Sequence, residues 1–240
     1  FHIGHMHLNS GKPCQDYALS GVCGDAAYAI VSDGCSSGGQ TDIGARVVSL
    51  TTARAIRIDE CRFGMMKDAL VTLGLNNSDM LATCLHAYFT PKGGDICLEG
   101  DGLVMLVYRN GQVDMFNYEW RDNRPFYPAY AISKEEYFAF IDAHGGDLQA
   151  KRLACHQWKY TPEKGFDFLC DKELTLEEGI CGVVMHVSAE TIENLDCAVV
   201  FSDGVTQVDG LDWKDTATQL VAFKTVEGEF AKRRMMRFIK

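Results

Sequence analysis

The sequence lacks the apolar run of about 18 residues that a membrane-spanning helix requires. It also lacks the apolar segment of a secretory signal peptide near its start, which reads Phe1-His2-Ile3-Gly4-His5. Positive charge is in deficit, since 23 Lys and Arg face 33 Asp and Glu and the net charge is −10. These absences argue against an integral membrane protein and against polyanionic partners. We expect a cytoplasmic, monomeric protein that binds neither nucleic acid nor membrane.

None of the ten cysteines belongs to a Cys-x-x-Cys pair, the spacing common in zinc and redox motifs. Two of them, Cys97 and Cys197, stand within apolar segments that are typical of strands. A chain of 240 residues with 47% hydrophobic composition can build a core without disulfide bonds. We therefore expect ten free thiols, as in a reduced cytoplasmic protein.

No internal repeat, low-complexity tract or linker interrupts the sequence, so we expect residues 1–240 to form one domain. Alternating and apolar segments predict many strands, with helices inserted between some of them, and this pattern favours an α+β sandwich over a doubly wound parallel sheet. The segment Glu119–Tyr130 is aromatic and is predicted to be a surface loop. The predicted strands are Tyr17–Val22, Ala26–Ser32, Met80–Phe89, Asp95–Tyr108 with a break at Gly100-Asp101-Gly102, Gln112–Tyr118, Leu153–Tyr160, Phe166–Cys170, Gly182–Ser188 and Asp196–Phe201. One helix is predicted to follow Gly38-Gly39. The other predicted helices span Phe63–Leu73, Lys134–Ala143, Asp212–Phe223 and Glu229–Ile239.

Four aspartates stand at the ends of, or at breaks in, the predicted strands. Asp33-Gly34 and Asp203-Gly204 each close an apolar, β-branched segment, and Asp101 lies between two glycines in the break of a third. Asp16 immediately precedes the first of these strands. Asp-Gly is a common turn dipeptide, so any one of these motifs alone indicates a turn. Together they predict carboxylates gathered at one edge of a sheet.

Carboxylates gathered in this way would repel one another and would be costly to remove from water, and bound cations would relieve both problems. Ligand sets made only of oxygen favour Mg²⁺ or Mn²⁺ over Zn²⁺. Two such ions about 3.5–4 Å apart share a carboxylate and activate a water molecule for attack on a phosphate ester. The sequence therefore predicts a metal-dependent phosphate-ester hydrolase.

The four motifs also resemble those of a known family. Cys14-Gln15-Asp16, Val31-Ser32-Asp33-Gly34, Gly100-Asp101-Gly102 and Phe201-Ser202-Asp203-Gly204 are similar, in order and spacing, to the motifs of the protein phosphatase 2C family, the metal-dependent serine/threonine phosphatases, and above all its compact bacterial branch. The resemblance implies a four-layer α/β/β/α sandwich with two mainly antiparallel sheets. It implies hydrolysis of phosphoserine and phosphothreonine in a phosphoprotein substrate, with two Mn²⁺ or Mg²⁺ ions, or three.

The same resemblance implies roles for individual residues. Asp33 would bridge two metal ions, the Gly34 carbonyl would bind the first ion and Asp203 the second. Asp16 would hold a water molecule on the metal, and Asp101 would lie near the third ion. Asp16, Asp33 and Asp203 are thus the expected catalytic residues.

The chain departs from the family pattern at its C-terminal end. The family carries one more acidic ligand, in an Asp-Asn or Asp-Asp motif on a final strand. After Asp203 the sequence offers Asp209, Asp212 and Asp215, all close to Asp203 and in turn or cap contexts. We expect either that residues 1–240 lack this final strand or that the second metal site is weakened.

The phosphate-binding and acid positions of the family also differ here. Many members carry an arginine shortly before the first motif, where this chain has Lys12. Lys12 and Arg46 are the candidates for contacting the substrate phosphate, with a surface ion pair as the alternative for Arg46. Cys35 stands where eukaryotic members place a histidine, so a water molecule would protonate the leaving group. Two alternatives to a protein phosphatase stay open: a phosphatase-like binding scaffold, and a two-metal hydrolase of small phosphate esters.

Overall fold

The computed structural model describes residues 9, 11, 13–58, 60–208 and 210–238. In this part of the chain the strands are β1 (Asp16–Cys23), β2 (Ala26–Asp33), β3 (Cys84–Thr90), β4 (Gly93–Glu99), β5 (Gly102–Tyr108), β6 (Val113–Trp120), β7 (Lys151–Thr161), β8 (Gly165–Thr175), β9 (Val183–Ser188) and β10 (Leu195–Phe201). The α-helices are α1 (Thr41–Ile58), α2 (Arg62–Leu73), α3 (Lys134–Ala143), α4 (Leu176–Gly179), α5 (Ala189–Asn194), α6 (Trp213–Val221) and α7 (Phe230–Phe238). None of the helices described combines the length and the apolar character needed to cross a membrane.

The strands form two five-stranded sheets. The first has the order β1-β2-β3-β4-β9 and the second has the order β10-β5-β6-β7-β8. Every neighbouring pair is antiparallel. The expectation of an α+β fold with two antiparallel sheets is confirmed.

Three apolar clusters hold the layers together. The largest lies between the sheets and includes Leu85, Leu98 and Val104. A second lies between the first sheet and helices α1 and α2, where Val48 and Met66 are fully buried. The third packs helix α6 against the outer face of the second sheet. The layers therefore follow the order helix, sheet, sheet, helix, which is the four-layer sandwich expected from the sequence.

Local sequence signals account for several element boundaries. Helix α2 ends where Gly74 adopts a left-handed conformation with φ of 66°. The Ser133 side chain accepts a hydrogen bond from the amide of Glu136 and so caps helix α3. The Asp212 side chain accepts a hydrogen bond from the amide of Lys214 and caps helix α6.

Other predicted elements need correction. The strand predicted from Met80 begins at Cys84, because Asn77–Met80 forms a 3-10 turn. The break predicted at Gly100-Asp101-Gly102 is the point at which the chain leaves the first sheet and enters the second. The segment predicted to be a surface loop contains Phe126, which is fully buried against Phe140, because its aromatic side chains close one end of the core. All ten cysteines are free, as expected.

Candidate active site

The first sheet brings Asp16 and Asp33 together. Asp16 begins β1 and Asp33 ends β2, and the antiparallel register places them directly opposite each other. The backbone of Asp33 is fixed by Thr83, whose Oγ1 accepts a hydrogen bond of 3.0 Å from the Asp33 amide. The Thr83 amide in turn donates to the Asp33 carbonyl over 2.9 Å. The hairpin and its neighbour thus hold two carboxylates at one end of the sheet.

The second sheet supplies Asp101 and Asp203 to the same end. Asp101 lies in the crossing between β4 and β5, and Asp203 follows β10, which pairs with β5. The crossing depends on Gly102, which has φ of 150° and whose missing Cβ would lie 2.5 Å from the carbonyl oxygen of Phe201. A side chain at this position would push β10 away from β5. Glycine therefore allows the close approach that brings Asp203 to Asp101.

The other three carboxylates perturb Asp33 strongly. The pKa of Asp33 is raised from 3.8 to about 9, first by burial and then by the negative charges of Asp16, Asp203 and Asp101. A hydrogen bond with Asp203 raises it further, and Asp33 also hydrogen-bonds Asp16. The carboxyl of Asp33 therefore lies within hydrogen-bonding reach of one acid from each sheet. The structure brings Asp33 and Asp203 together as the matching strand ends predict.

The outer acids share this environment. The pKa of Asp16 is raised mainly by burial, against which hydrogen bonds from Cys14 and Ser202 act. The pKa of Asp101 is raised to about 6, first by burial and then by the charge of Asp203, with a smaller contribution from Glu119. The neutral forms of both acids are favoured for the same reason as in Asp33.

The cluster fits hard divalent cations. In the described part of the chain, no Lys or Arg forms an ion pair with any of the four aspartates. The donor set consists of carboxylate and backbone oxygens, which suit Mg²⁺ or Mn²⁺. A cation would stabilise the ionised form of Asp33 that burial and its neighbours disfavour. The residues present are therefore compatible with a metal centre at this edge.

Neighbouring main-chain atoms pack closely around Gly34, which follows Asp33 in the chain. Its amide donates a hydrogen bond of 3.1 Å to the Gln15 carbonyl. A Cβ at Gly34 would lie 2.7 Å from the carbonyl oxygen of Thr41 and 2.9 Å from that of Gln15. The position therefore accepts no side chain, and its main chain stays next to Asp33.

Of the two residues expected to contact phosphate, the structure describes only Arg46. Lys12 lies outside the described residues. The Arg46 guanidinium stacks on the ring of Tyr17, with its central carbon 5.8 Å from the ring centroid. Because successive side chains of a strand point to opposite faces, Tyr17 and Asp16 lie on different sides of the sheet. Contact between Arg46 and a bound phosphate stays a prediction.

The acidic residues beyond Asp203 do not join the cluster where they are described. Asp212 caps helix α6 and pairs with the Lys214 ammonium group over 2.9 Å. Asp215 lies in the first turn of the same helix. Asp209 lies outside the described residues.

A pocket of about 310 Å³ lies at Cys35, two residues after Asp33, and none of the four aspartates lines it. Its wall includes Cys35, Arg124, Tyr127 and Tyr130. Burial raises the pKa of the Cys35 thiol, but hydrogen bonds with Ser37 and Tyr127 outweigh it and the net pKa is lowered. Burial, the hydrogen bond with Cys35 and the charge of Asp101 all raise the pKa of Tyr127. The charge of Asp101 in the acid cluster therefore acts on Tyr127 in the wall of the pocket.

Sequence reasoning did not identify the residues that support the acids. Thr83 and Ser202 hold Asp33 and Asp16, Gln207 donates a hydrogen bond of 2.7 Å to Asp203, and Tyr127 lines the pocket. The repeated Ser-Asp-Gly motif contained a signal for Ser202. Nothing local to Thr83 or Tyr127 marks them, because their contacts depend on how distant segments meet.

Comparison with known proteins identifies the family. The model of the family described as protein phosphatase 2C matches residues 3–239. No functionally curated protein matches the chain.

Solved structures show the same fold. The serine/threonine phosphatase Stp1 from Staphylococcus aureus is 11% identical, with a TM-score of 0.52 over 95% of this chain and 84% of its own. A bacterial serine phosphatase is 11% identical, with a TM-score of 0.50 over 95% and 85%. The catalytic domain of the serine/threonine protein phosphatase PstP, in complex with two manganese ions, is 13% identical over 95% and 84%, but its TM-score of 0.41 is too low to bear on the fold.

At such low identity these likenesses show the fold alone, and the family follows from the match over nearly the whole sequence. The chain therefore belongs to the protein phosphatase 2C family, the metal-dependent serine/threonine phosphatases.

Proposed function

We propose that this chain hydrolyses phosphoserine and phosphothreonine in proteins, at the cluster of Asp16, Asp33, Asp101 and Asp203. The observation that carries the proposal is the position of Asp33. It lies among acids from both sheets, and its pKa is raised to about 9, first by burial and then by the negative charges of those acids. Family membership supplies the reaction class.

The residues that would hold two Mn²⁺ or Mg²⁺ ions lie together. Asp33 is central and would contact both ions, with the Gly34 carbonyl beside it and Asp203 from the second sheet. Asp101 would lie at the edge of the site, near any third ion. Bound ions of this kind lower the pKa of a water molecule and hold the phosphate oxygens during in-line attack.

The chain's own groups position the reactants. Asp33 would have to give up its proton to hold cations, so metal binding would release a proton from this site. Asp16 is oriented by Cys14 and Ser202 and, as a carboxylate, can accept a hydrogen bond from the attacking water. Cys35 is engaged with Ser37 and Tyr127 and has no assigned proton transfer. The leaving hydroxyl therefore takes its proton from solvent.

The pocket beside the cluster supports a peptide substrate over a small phosphate ester. Tyr127 and Tyr130 give it aromatic walls, and the exposed Arg124 stands at its rim. A small phosphate ester occupies only the acid cluster, whereas a peptide extends beyond the phosphorylated side chain. We assign the pocket to the residues flanking that side chain.

The test is Mn²⁺-dependent turnover of p-nitrophenyl phosphate and of a phosphothreonine peptide by the full chain, Asp33→Asn and Asp25→Asn. Asp25 lies in the exposed turn at the opposite end of the same hairpin and serves as the matched control. We expect the control to retain both activities and Asp33→Asn to lose both. Peptide binding without turnover by the wild type would instead support a scaffold. Turnover of the aryl phosphate alone would support a hydrolase of small esters.

A further inference from the structure

We propose that Cys84, His86 and Glu99 form a second metal site that binds Zn²⁺, separate from the acid cluster. The site lies on the face of the first sheet that is covered by helices α1 and α2. Cys84 belongs to the apolar cluster under those helices, whereas its neighbour Leu85 points into the core between the sheets. The inference does not depend on the proposed phosphatase reaction.

The register of β3 and β4 brings the three donors together. Cys84 lies opposite Glu99, and His86 lies opposite Cys97, so all four side chains share one face. One ligand atom from each of Cys84, His86 and Glu99 lies within 4.8 Å of the other two. The distance of 3.8 Å between the Cys84 Sγ and the His86 Nδ1 is close to the roughly 3.6 Å that separates sulfur and nitrogen ligands around tetrahedral zinc.

An unpartnered oxygen points to a missing ligand. The Glu99 side chain has no exposed surface, and its Oε1 accepts an ion-pair hydrogen bond from Arg62. Its Oε2 is buried and has no hydrogen-bond partner. Leaving a buried carboxylate oxygen unpaired is destabilising. A cation bound at Oε2 would supply the absent partner.

The surrounding groups suit zinc rather than the ions of the acid cluster. A set of sulfur, nitrogen and oxygen donors is typical of Zn²⁺, whereas Mg²⁺ and Mn²⁺ prefer oxygen alone. The Cys84 thiolate and the Glu99 carboxylate would supply two negative charges to the ion and to the neighbouring Arg62 guanidinium. The His86 imidazole supplies the nitrogen donor of this set.

With an ion bound, Arg62 would contact the ligands and not the ion. Its guanidinium remains on Glu99 Oε1 and also lies 3.7 Å from Cys84 Sγ and 3.5 Å from Thr52 Oγ1. Groups in this position orient metal ligands and strengthen binding. Because Cys84 begins β3 and Glu99 ends β4, the ion would join these two strand ends, and the second of them leads directly to Asp101.

The test measures metal content and cobalt spectra of the full chain. The protein is equilibrated with excess Mg²⁺ to occupy the acid cluster, then exposed to a small amount of Zn²⁺ or Co²⁺ and dialysed. We expect about one zinc per chain in the wild type. With cobalt we expect a near-ultraviolet thiolate-to-metal charge-transfer band, which the all-oxygen acid cluster has no sulfur to produce.

Cys84→Ser should lose the cobalt band and the retained zinc, while Cys155→Ser should keep both. Cys155 is a matched control, because it is also a buried strand cysteine but lies in the second sheet. His86→Asn should also lose zinc and tests the site without altering a thiol, and circular dichroism verifies that each variant is folded. Absence of zinc from the wild type would overturn the proposal. So would a cobalt band in a folded Cys84→Ser or His86→Asn variant equal to that of Cys155→Ser.

Discussion

Replacing Asp33 with asparagine should stabilise the metal-free protein. At pH 7.5 an aspartate with the ordinary pKa of 3.8 is ionised in the unfolded chain, whereas Asp33, with a pKa of about 9, holds its proton in the fold. At pH 7.5, folding therefore requires this carboxyl to take up a proton. The free-energy cost is about 1.4 kcal/mol for each of the 3.7 pH units between 3.8 and 7.5, so it lowers the free energy of unfolding by at most about 5 kcal/mol. Water entering the cluster relieves part of it, so we expect a gain of about 2–3 kcal/mol for Asp33→Asn.

The gain should depend on pH with a definite sign. Because the folded pKa is raised, the wild type without metal loses stability as the pH increases from about 4 to about 9. The amide does not titrate, so this loss should be smaller in the variant. For a domain of this size, 2–3 kcal/mol corresponds to a melting-temperature increase of about 5–10 °C at pH 7.5. At pH 5 the maximum penalty falls to about 1.6 kcal/mol, and the increase should be less than half as large.

Thermal unfolding in a chelator at pH 5 and at pH 7.5 measures this directly, with Asp25→Asn as the control. Addition of Mn²⁺ should raise the melting temperature of the wild type and of the control but not that of Asp33→Asn, because ligands that bind only the folded state stabilise it. A variant that is less stable than the wild type in chelator would refute the electrostatic reasoning. An equal difference at both pH values would refute it as well.

Three further substitutions test other parts of the structure. Arg124→Ala should raise KM for a phosphopeptide severalfold and leave turnover of p-nitrophenyl phosphate unchanged. The control Arg54→Ala, at an exposed helical position, should change neither. An equal loss of activity on both substrates would contradict the assignment of the pocket to the peptide. Gly102→Ala should lower stability by about 2–4 kcal/mol in denaturant unfolding, since its Cβ would collide with the Phe201 carbonyl, and an unchanged midpoint would contradict this packing. Cys35→Ser should retain most of the activity at saturating Mn²⁺, whereas an inactive variant would identify the thiol as part of the chemistry.

The sequence predicted those features that depend on local signals. The hairpin of β1 and β2, the cap at Ser133 and the end of helix α2 at Gly74 each follow from a few adjacent residues. The meeting of Asp33 with Asp203 was predictable because a strand that ends in Asp-Gly delivers its carboxylate to the edge of a sheet. The resemblance to the family then indicated that the fold is a four-layer sandwich and that the aspartates meet at one edge of its sheets.

The cluster around Glu99 could not be predicted in this way. It exists because Cys84 faces Glu99 across β3 and β4, and a shift of one residue in that register would turn the donors to the opposite face. The burial of Phe126 was missed for a related reason. Its segment has no regular periodicity, and its position depends on Phe140 from a helix that begins eight residues later.

The division of the acid cluster between the two sheets has a mechanical consequence. Asp33 belongs to the first sheet and Asp203 to the second, so an ion that binds both would act as a cross-link between the halves of the sandwich. Separation of the sheets would then require release of the metal, and the two halves should open as one cooperative unit. Amide hydrogen exchange in β2 and in β10 should slow together when Mn²⁺ is added, although these strands belong to different sheets.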